Sequence, residues 1–212
     1  QKEAELSKLR KQEEIEFQQA EEGEDMDLQN QEHLGSRRKS VTPRGRSKTD
    51  DLVSVLERAS GKRLLIYIKG YPDPDNIATS LALSHMTAQF DIQSTIVHFE
   101  RISHHENRAL VKKLDLDIEE YSEQFDYTSY DFYAINDSQN TELPIKLPES
   151  CKLLVFIDHH KRLGTITGEF VDIRESVGST SAIYGEYLQD KRFNFNGDTP
   201  EHSKIATALM HG

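Results

Sequence analysis

An α/β fold with a doubly wound, largely parallel sheet is predicted by three features of the sequence. Short apolar runs, such as residues 153–157, have the length and composition of buried strands. These runs alternate with stretches in which apolar residues recur at helical spacing, the pattern of parallel strands joined by helices. Several runs end in a carboxylate or an imidazole, where open α/β sheets bind ligands. We therefore expect helices on both faces of the sheet.

The composition limits the kind of protein. A formal net charge of −11 and a pI near 5.3 argue against a broad surface for duplex nucleic acid, which needs a basic face. Cys151 is the single cysteine, so neither a disulfide framework nor a cysteine-based zinc site is expected. The sequence has no apolar run long enough to cross a bilayer and no signal-peptide pattern. A cytoplasmic protein without a membrane partner is predicted.

Residues 1–49 differ from the rest of the chain. Up to about residue 35 they are rich in Glu and Gln, and residues 37–48 form a basic stretch that contains one proline and one glycine. This composition predicts a disordered tail or a solvated helix, followed by a flexible linker. Contact between the linker and phosphates stays open. The folded domain is expected to comprise residues 50–212.

The elements of this domain can be placed in order. Asp51, Asn76 and Thr199 are expected to be the N-caps of three helices, the last with Pro200 at its first position. Helices are predicted at residues 52–59, 77–90, 107–114, about 178–189 and 201–210. Strands are predicted at residues 64–68, 94–99, 131–135, 153–157 and 169–173, the last of these at an edge.

Acidic and imidazole groups follow three of the predicted strands. They are Asp73 and Asp75, then Asp137, then the triplet Asp158, His159 and His160. Because the carboxyl ends of parallel strands meet at one edge of a sheet, we expect these side chains to converge. Two carboxylates held close together repel each other unless a cation lies between them. Oxygen and imidazole ligands suit Mn²⁺ or Mg²⁺ better than they suit thiolate-seeking metals.

The loop that carries the first two carboxylates favours this convergence. Pro72 and Pro74 restrict the residues before them to extended conformations. An extended backbone directs alternate side chains to the same side, so Tyr71, Asp73 and Asp75 should face the site together. Taken singly, each motif can be explained as a turn, a cap or a surface pair. Their joint occurrence at three strand ends favours a metal site.

Four short motifs resemble those of a known family. In order they are Gly-Tyr-Pro-Asp-Pro-Asp-Asn-Ile-Ala-Thr-Ser at 70–80, Ile-Asn-Asp-Ser-Gln at 135–139, Ile-Asp-His-His at 157–160 and Val-Gly-Ser-Thr-Ser at 177–181. They resemble the ordered motifs of the DHH phosphoesterases, most closely the branch with the RecJ exonuclease and the nanoRNase/pAp phosphatases. The resemblance covers residues 60–212 and implies that residues 50–212 are a DHH catalytic domain.

The resemblance implies a site with two divalent metal ions, manganese in the first place and magnesium as the alternative. By similarity, Asp73 would bind the first metal and Asp75 the second, and Asp137 would bridge both. His159 would bind the second metal, with Asp158 as its support.

The resemblance also implies how a phosphate substrate would be bound. His160 would contact the scissile phosphate, and Ser179, Thr180 and Ser181 would lie near its oxygen atoms. A helix start after a glycine is an anion site on physical grounds as well, although each hydroxyl taken singly can be a plain N-cap. Arg108 would contact the substrate, with an ion pair on the helix surface as the alternative.

The implied function is metal-dependent hydrolysis of phosphodiester or phosphomonoester bonds in short oligonucleotides or small nucleotides. Asp158 and His160 would be the catalytic residues, and the two metals would activate water. A long duplex is disfavoured by the acidic composition, and assembly into a homodimer stays open.

Two departures from the family pattern bear on activity. Tyr71 stands where the family has a metal-binding histidine, and a phenol is a poor ligand at neutral pH. This favours an alternative function, a nucleotide-sensing or regulatory domain with weak or no hydrolysis. The sequence also stops at Gly212, before a further aspartate ligand of the family. We expect a fragment that is feeble or inactive alone.

Overall fold

Six parallel strands form one sheet in the computed structural model, which describes residues 47–212. The strands are β1 (Arg63–Ile68), β2 (Gln93–His98), β3 (Glu119–Glu120), β4 (Phe132–Asn136), β5 (Lys152–Asp158) and β6 (Phe170–Ile173). The predicted α/β fold with a parallel sheet is confirmed. The tail predicted for residues 1–49 lies outside the described residues, apart from residue 47, the N-cap of the first helix, and residues 48–49, which begin that helix.

The strand order, β3-β2-β1-β4-β5-β6, reverses between β1 and β4. From β1 the chain moves outward to β3 and then returns to the other side of β1, where β4, β5 and β6 follow. Because crossovers between parallel strands are right-handed, connections that run in opposite directions cross opposite faces of the sheet. The sheet is therefore doubly wound, as predicted. Its switch point, where such sheets leave a crevice for a ligand, lies between the carboxyl ends of β1 and β4.

Residues 47–212 contain five α-helices, none of which combines the length and the apolar character of a membrane span. They are α1 (Lys48–Arg58), α2 (Pro74–Ala88), α3 (His105–Leu114), α4 (Thr180–Tyr187) and α5 (Pro200–Leu209). Two predicted N-caps are wrong. α1 is capped by Ser47 in a capping box and not by Asp51. α2 is capped by Asp73 and not by Asn76, because Pro74 suits the first helical position and the Asp73 carboxylate accepts the Asn76 N–H.

The remaining elements lie close to their predicted positions. α5 begins at Pro200 after the N-cap Thr199, as predicted. The predicted edge strand is confirmed as β6, which pairs with β5 alone. β3 is not predicted by the sequence, because its two exposed glutamates carry no apolar signal.

The two faces of the sheet are covered in different ways. All five helices contribute to one large core, for example through Leu56, Leu83, Leu110, Ile183 and Ile205. The opposite face carries two smaller apolar clusters, covered by side chains from irregular segments within residues 121–130 and 143–151 and at residue 166. The helices expected on both faces are thus concentrated on one. The connections that cross the second face contain a single 3-10 turn and no α-helix.

His85 on α2 is half-buried beneath the segment that precedes α5. Its Nε2 atom lies 2.9 Å from the carbonyl oxygen of Phe193, and its ring meets the ring of buried His202 edge-on, with centroids 4.9 Å apart. Burial lowers the pKa of His85, and the neighbouring His202 lowers it further, although the Phe193 carbonyl and Glu201 act in the opposite direction. The folded protein therefore binds a proton at His85 at lower pH than the unfolded chain does.

This difference makes stability depend on pH. Between roughly pH 7 and pH 5 the unfolded chain binds more protons at residue 85 than the folded protein, so the free energy of unfolding falls as the pH falls. His85→Gln keeps a donor for the Phe193 carbonyl and does not titrate. In thermal unfolding followed by circular dichroism, its melting temperature should fall less steeply over this range. The same change at exposed His105 should keep the wild-type slope, and an unchanged slope for His85→Gln would contradict the prediction.

Candidate metal centre

Side chains from three strand ends meet at the switch point. Nε2 of His159 lies 3.9 Å from Oδ2 of Asp75 and 3.6 Å from Oδ1 of Asp137. His160 lies beside them, with its Nδ1 atom 3.6 Å from the same Asp137 oxygen. These side chains thus converge, as the sequence predicts, at the carboxyl edge of β1, β4 and β5.

The backbone after β4 fixes the position of Asp137. Asp137 has a φ of +50°, in the left-handed region that few non-glycine residues adopt. Its N–H donates to the carbonyl oxygen of Ile157 at 2.9 Å, which ties it to β5. Its buried carboxylate accepts the hydroxyl of Thr180 at 2.9 Å. The carboxylate is therefore oriented from two elements, β5 and α4.

The start of α4 holds Asp75. Its two carboxylate oxygens accept the N–H groups of Thr180 at 2.9 Å and Ser181 at 2.7 Å. The first N–H groups of a helix have no partner within the helix, and together with the helix dipole they bind anions. Here the bound anion is the Asp75 carboxylate. A carboxylate has further lone pairs, so these two bonds leave Asp75 able to bind a cation.

The three hydroxyls predicted to lie near phosphate have other surroundings. Ser179 is the N-cap of α4, and its hydroxyl accepts the Ala182 N–H at 3.2 Å. Thr180 donates to a carboxylate, as described above. Ser181 is buried, and its hydroxyl has no hydrogen-bond partner among residues 47–212. Their role in binding a substrate stays a prediction.

Hydrogen bonds fix the rings of the two histidines. Nδ1 of His159 lies 3.2 Å from the carbonyl oxygen of Val177. Because a carbonyl only accepts, Nδ1 carries the proton, and in the neutral ring Nε2 turns a lone pair toward the two carboxylates. Nδ1 of His160 donates to Asp158 at 2.8 Å. Residues two apart in an extended chain share a side, which places Asp158 against His160, and its support of His159 stays a prediction.

Crowding of charge shifts the pKa of Asp137. Burial and the negative charge of Asp75 raise it to about 7. Hydrogen bonding by Thr180 lowers it in part. For His160, burial alone would lower the pKa, but the hydrogen bond and charge of Asp158 and the charges of the other carboxylates outweigh this effect and raise it. Positive charge nearby would therefore favour the ionised form of Asp137.

The donor set fits a divalent metal ion. One ligand atom from each of Asp137, His159 and His160 lies within 4.8 Å of the others, and Asp75 borders this group. Crowded carboxylates and an imidazole lone pair that faces them are both stabilised by a cation. Oxygen with imidazole nitrogen is a suitable ligand set for Mn²⁺ or Mg²⁺.

Three residues predicted to face the site lie outside this group. Asp73 is exposed and caps α2, although its charge still contributes to the raised pKa of Asp137. Arg108 is exposed, and its guanidinium donates to two backbone carbonyl oxygens in the loop before α3. The side chain of Tyr71 is among the most exposed large apolar groups of residues 47–212, at 67%.

Two supporting contacts are not predicted by the sequence. The buried amide of Asn107 donates to the carbonyl oxygen of Pro72 at 2.8 Å and anchors the loop before α2. The hydroxyl of Tyr184 donates to Oδ1 of Asn136 at 2.7 Å, directly before Asp137. Asn107 and Asn136 are each adjacent to a predicted site residue, which is a weak signal. The partners are 35 and 48 residues apart in sequence, so no local pattern reveals them.

A related sequence extends beyond the length of this chain. No protein-family model matches the chain. A protein of Methanocaldococcus jannaschii, uncharacterized protein MJ1633, is 31% identical over 175 residues, which are 82% of this chain and 34% of that protein. The chain thus spans about a third of the length of this relative.

Two solved structures resemble the described domain. An exopolyphosphatase-related protein from Bacteroides fragilis has a TM-score of 0.56 at 16% identity, over 81% of this chain and 51% of that one. The two proteins share a fold. A putative family II inorganic pyrophosphatase from Methanococcus jannaschii has a TM-score of 0.48 at 18% identity, over 70% of this chain and 47% of that one. This chain thus spans about half of each solved protein.

Asp137→Asn should stabilise the metal-free protein. Because the pKa of Asp137 is about 7 in the folded state and lower in the unfolded chain, the folded protein binds more protons and loses stability as the pH rises toward 7. The amide keeps an acceptor for Thr180 and carries no charge. Thermal unfolding with EDTA should show a melting temperature several degrees above wild type at pH 8 and a smaller gain at pH 5. Exposed Asp117→Asn is the matched control; equal effects of the two variants would contradict the prediction.

Proposed function

We propose that the protein is a metal-dependent phosphoesterase of the DHH type. The observation that carries this proposal is the grouping of the Asp75 and Asp137 carboxylates with the His159 imidazole at the switch point of the sheet. The motifs that resemble the family supply all three residues. The solved protein that shares the fold is named as exopolyphosphatase-related, which agrees with phosphate chemistry.

The residues of the centre have distinct proposed roles. Asp75, Asp137 and His159 would hold the metal, and Asp73 would join them from the exposed loop before α2. A pair of divalent ions, when bound, would acidify a coordinated water and offset the charge of the phosphoryl oxygens. Two N–H groups at the start of α4 keep Asp75 in place, and the Thr180 hydroxyl keeps Asp137 in place.

His160 would contact the phosphate of the substrate. Asp158 is buried, and its carboxylate holds Nδ1 of His160 and raises the pKa of that imidazole. In the absence of metal the ring is therefore biased toward its protonated form, and its side chain is 40% exposed. A proton on Nε2 can be donated to a phosphoryl oxygen or to the leaving oxygen. Asp158 would orient the ring for this transfer.

We propose short oligonucleotides or small nucleotides as substrates, and manganese as the ion. The net charge of −11 repels long polyanions, whereas a compact phosphate needs only the local positive charge of the centre. Inorganic polyphosphate is the competing substrate class, because the Bacteroides fragilis protein that shares the fold is named as exopolyphosphatase-related.

The exposed position of Tyr71 favours a second candidate function, a domain that senses nucleotides or regulates a partner with little hydrolysis. Tyr71 stands at the place of a ligand in the resembling family, and it lies outside the group of potential ligands. Loss of one ligand would weaken one of the two metal positions.

Hydrolysis assays separate the two functions. The full-length natural protein, incubated with Mn²⁺, should release p-nitrophenol from bis-p-nitrophenyl phosphate, and EDTA should abolish the release. Parallel incubations with a five-nucleotide RNA, a 3′,5′-bisphosphate nucleotide and inorganic polyphosphate would identify the substrate class. Asp137→Asn should lower each rate at least about 100-fold. Binding of Mn²⁺ without hydrolysis of any of these substrates would overturn the phosphoesterase proposal and support the regulatory one.

Tyr71→His should strengthen metal binding. A histidine at this position would add an imidazole ligand beside Asp73, so calorimetric titration with MnCl₂ should show a higher affinity, a second equivalent, or both. Tyr71→Phe is the matched control and should behave like wild type, since a phenol contributes little to metal binding at neutral pH. Equal stoichiometry and affinity for wild type and Tyr71→His would refute the idea that Tyr71 weakens a metal position.

A further inference from the structure

One face of α4 makes a polar contact at each of its turns. The hydroxyl of Thr180 donates to Asp137 at 2.9 Å, and the hydroxyl of Tyr184 donates to Asn136 at 2.7 Å. The hydroxyl of Tyr187 donates to Asp172 on β6 at 2.5 Å. Spacings of four and three residues place these side chains on the same side of the helix. The first two contacts reach consecutive residues at the end of β4.

The contact between Tyr184 and Asn136 is completely buried. Burial raises the pKa of Tyr184 well above its usual value, so its hydroxyl stays protonated and remains a donor. The side-chain NH₂ group of Asn136 has no hydrogen-bond partner among residues 47–212. The side chain of Asn136 is therefore held through its oxygen alone, and the Tyr184 hydroxyl is what holds it.

Asn136 is the last residue of β4, and the chain turns sharply at the next residue. Asp137 adopts a left-handed conformation that is unfavourable for a residue with a Cβ atom. Such a conformation persists only where neighbouring contacts determine it. The Tyr184 bond fixes the residue before the turn, and the Asp137 N–H bond to Ile157 fixes the turn itself.

We propose that Tyr184 is a positioning residue of the metal centre, which acts through Asn136 on the placement of the Asp137 carboxylate. The hydrogen bond of its hydroxyl goes to Asn136 and not to a proposed metal ligand. Its effect on metal affinity rests on the proposed function, whereas its effect on the backbone of Asp137 does not.

Tyr187 provides a matched control on the same helix. Its hydroxyl is also buried and also donates one hydrogen bond, but to Asp172 on β6, two strands away from β4, and it accepts one from Arg174. Tyr184→Phe and Tyr187→Phe therefore remove the same group from the same element. A general loss of stability would affect both variants alike, whereas a positioning role is specific to Tyr184.

Two measurements on the 212-residue chain and its variants test the proposal. Amide hydrogen exchange at Asp137 reports on the turn directly and needs no metal. It should be at least tenfold faster in Tyr184→Phe than in Tyr187→Phe at equal global stability. Calorimetric titration with MnCl₂ should show about tenfold weaker binding for Tyr184→Phe and a change within twofold for Tyr187→Phe.

The outcomes separate this inference from the proposed function. Equal exchange at Asp137 in the two variants would overturn the positioning role, whatever the metal does. Full-length natural protein that binds no Mn²⁺ in the same titration would overturn the metal centre, and the exchange rates would still decide the role of Tyr184.

A double variant distinguishes positioning from simple loss of a buried partner. Tyr184→Phe leaves the Asn136 amide without any partner, and the added change Asn136→Leu removes that amide. The double variant should recover the melting temperature toward wild type and keep the weak Mn²⁺ binding and fast exchange of Tyr184→Phe. Recovery of binding and exchange together with stability would show that the contact is only structural and would overturn the proposal.

Discussion

The repulsion between the Asp75 and Asp137 carboxylates is the constraint on which the arrangement of this domain depends. Burial and the charge of Asp75 together raise the pKa of Asp137 to about 7. Nevertheless, the start of α4 contributes two backbone N–H groups to one carboxylate and a hydroxyl to the other. The helix thus keeps two like charges close together, an arrangement that costs stability until a cation offsets it.

The topology of the sheet brings the two carboxylates together at one edge. Parallel strands bring several carboxyl ends to one edge, and the reversal of strand order between β1 and β4 opens a crevice there. With all five described helices packed on one face, α2 and α4 both start beside this crevice. The start of α2 places Asp73 at its N-cap and Asp75 in its first turn, and the start of α4 provides the hydrogen-bond donors of Asp75. The irregular connections on the second face contribute to the two smaller cores.

Much of this could be predicted from the sequence, because the informative signals are local. A buried strand such as β5 is a continuous apolar run, and the polar residue that ends it marks the edge of the sheet. The predicted N-cap of α2 lies three residues too late, although Pro74 directly after Asp73 is itself a local signal for the helix start. Contacts between residues that are far apart in the sequence could not be predicted. Nothing near Asp75 in sequence indicates that its carboxylate is bound by a helix more than 100 residues away. Likewise, no local pattern reveals that Asn107 bonds Pro72 or that Tyr184 bonds Asn136.

The two aspartates are held by bonds of different chemical origin. Asp75 accepts N–H groups of the main chain at Thr180 and Ser181, and every residue type except proline supplies such a group. Asp137 accepts a side-chain hydroxyl, which only a few residue types provide. Many substitutions at the start of α4 would therefore leave the bonds to Asp75 intact, whereas the bond from α4 to Asp137 is lost with one hydroxyl. The position of Asp75 therefore tolerates most substitutions at the residues that bind it, whereas the position of Asp137 is sensitive to substitution of Thr180.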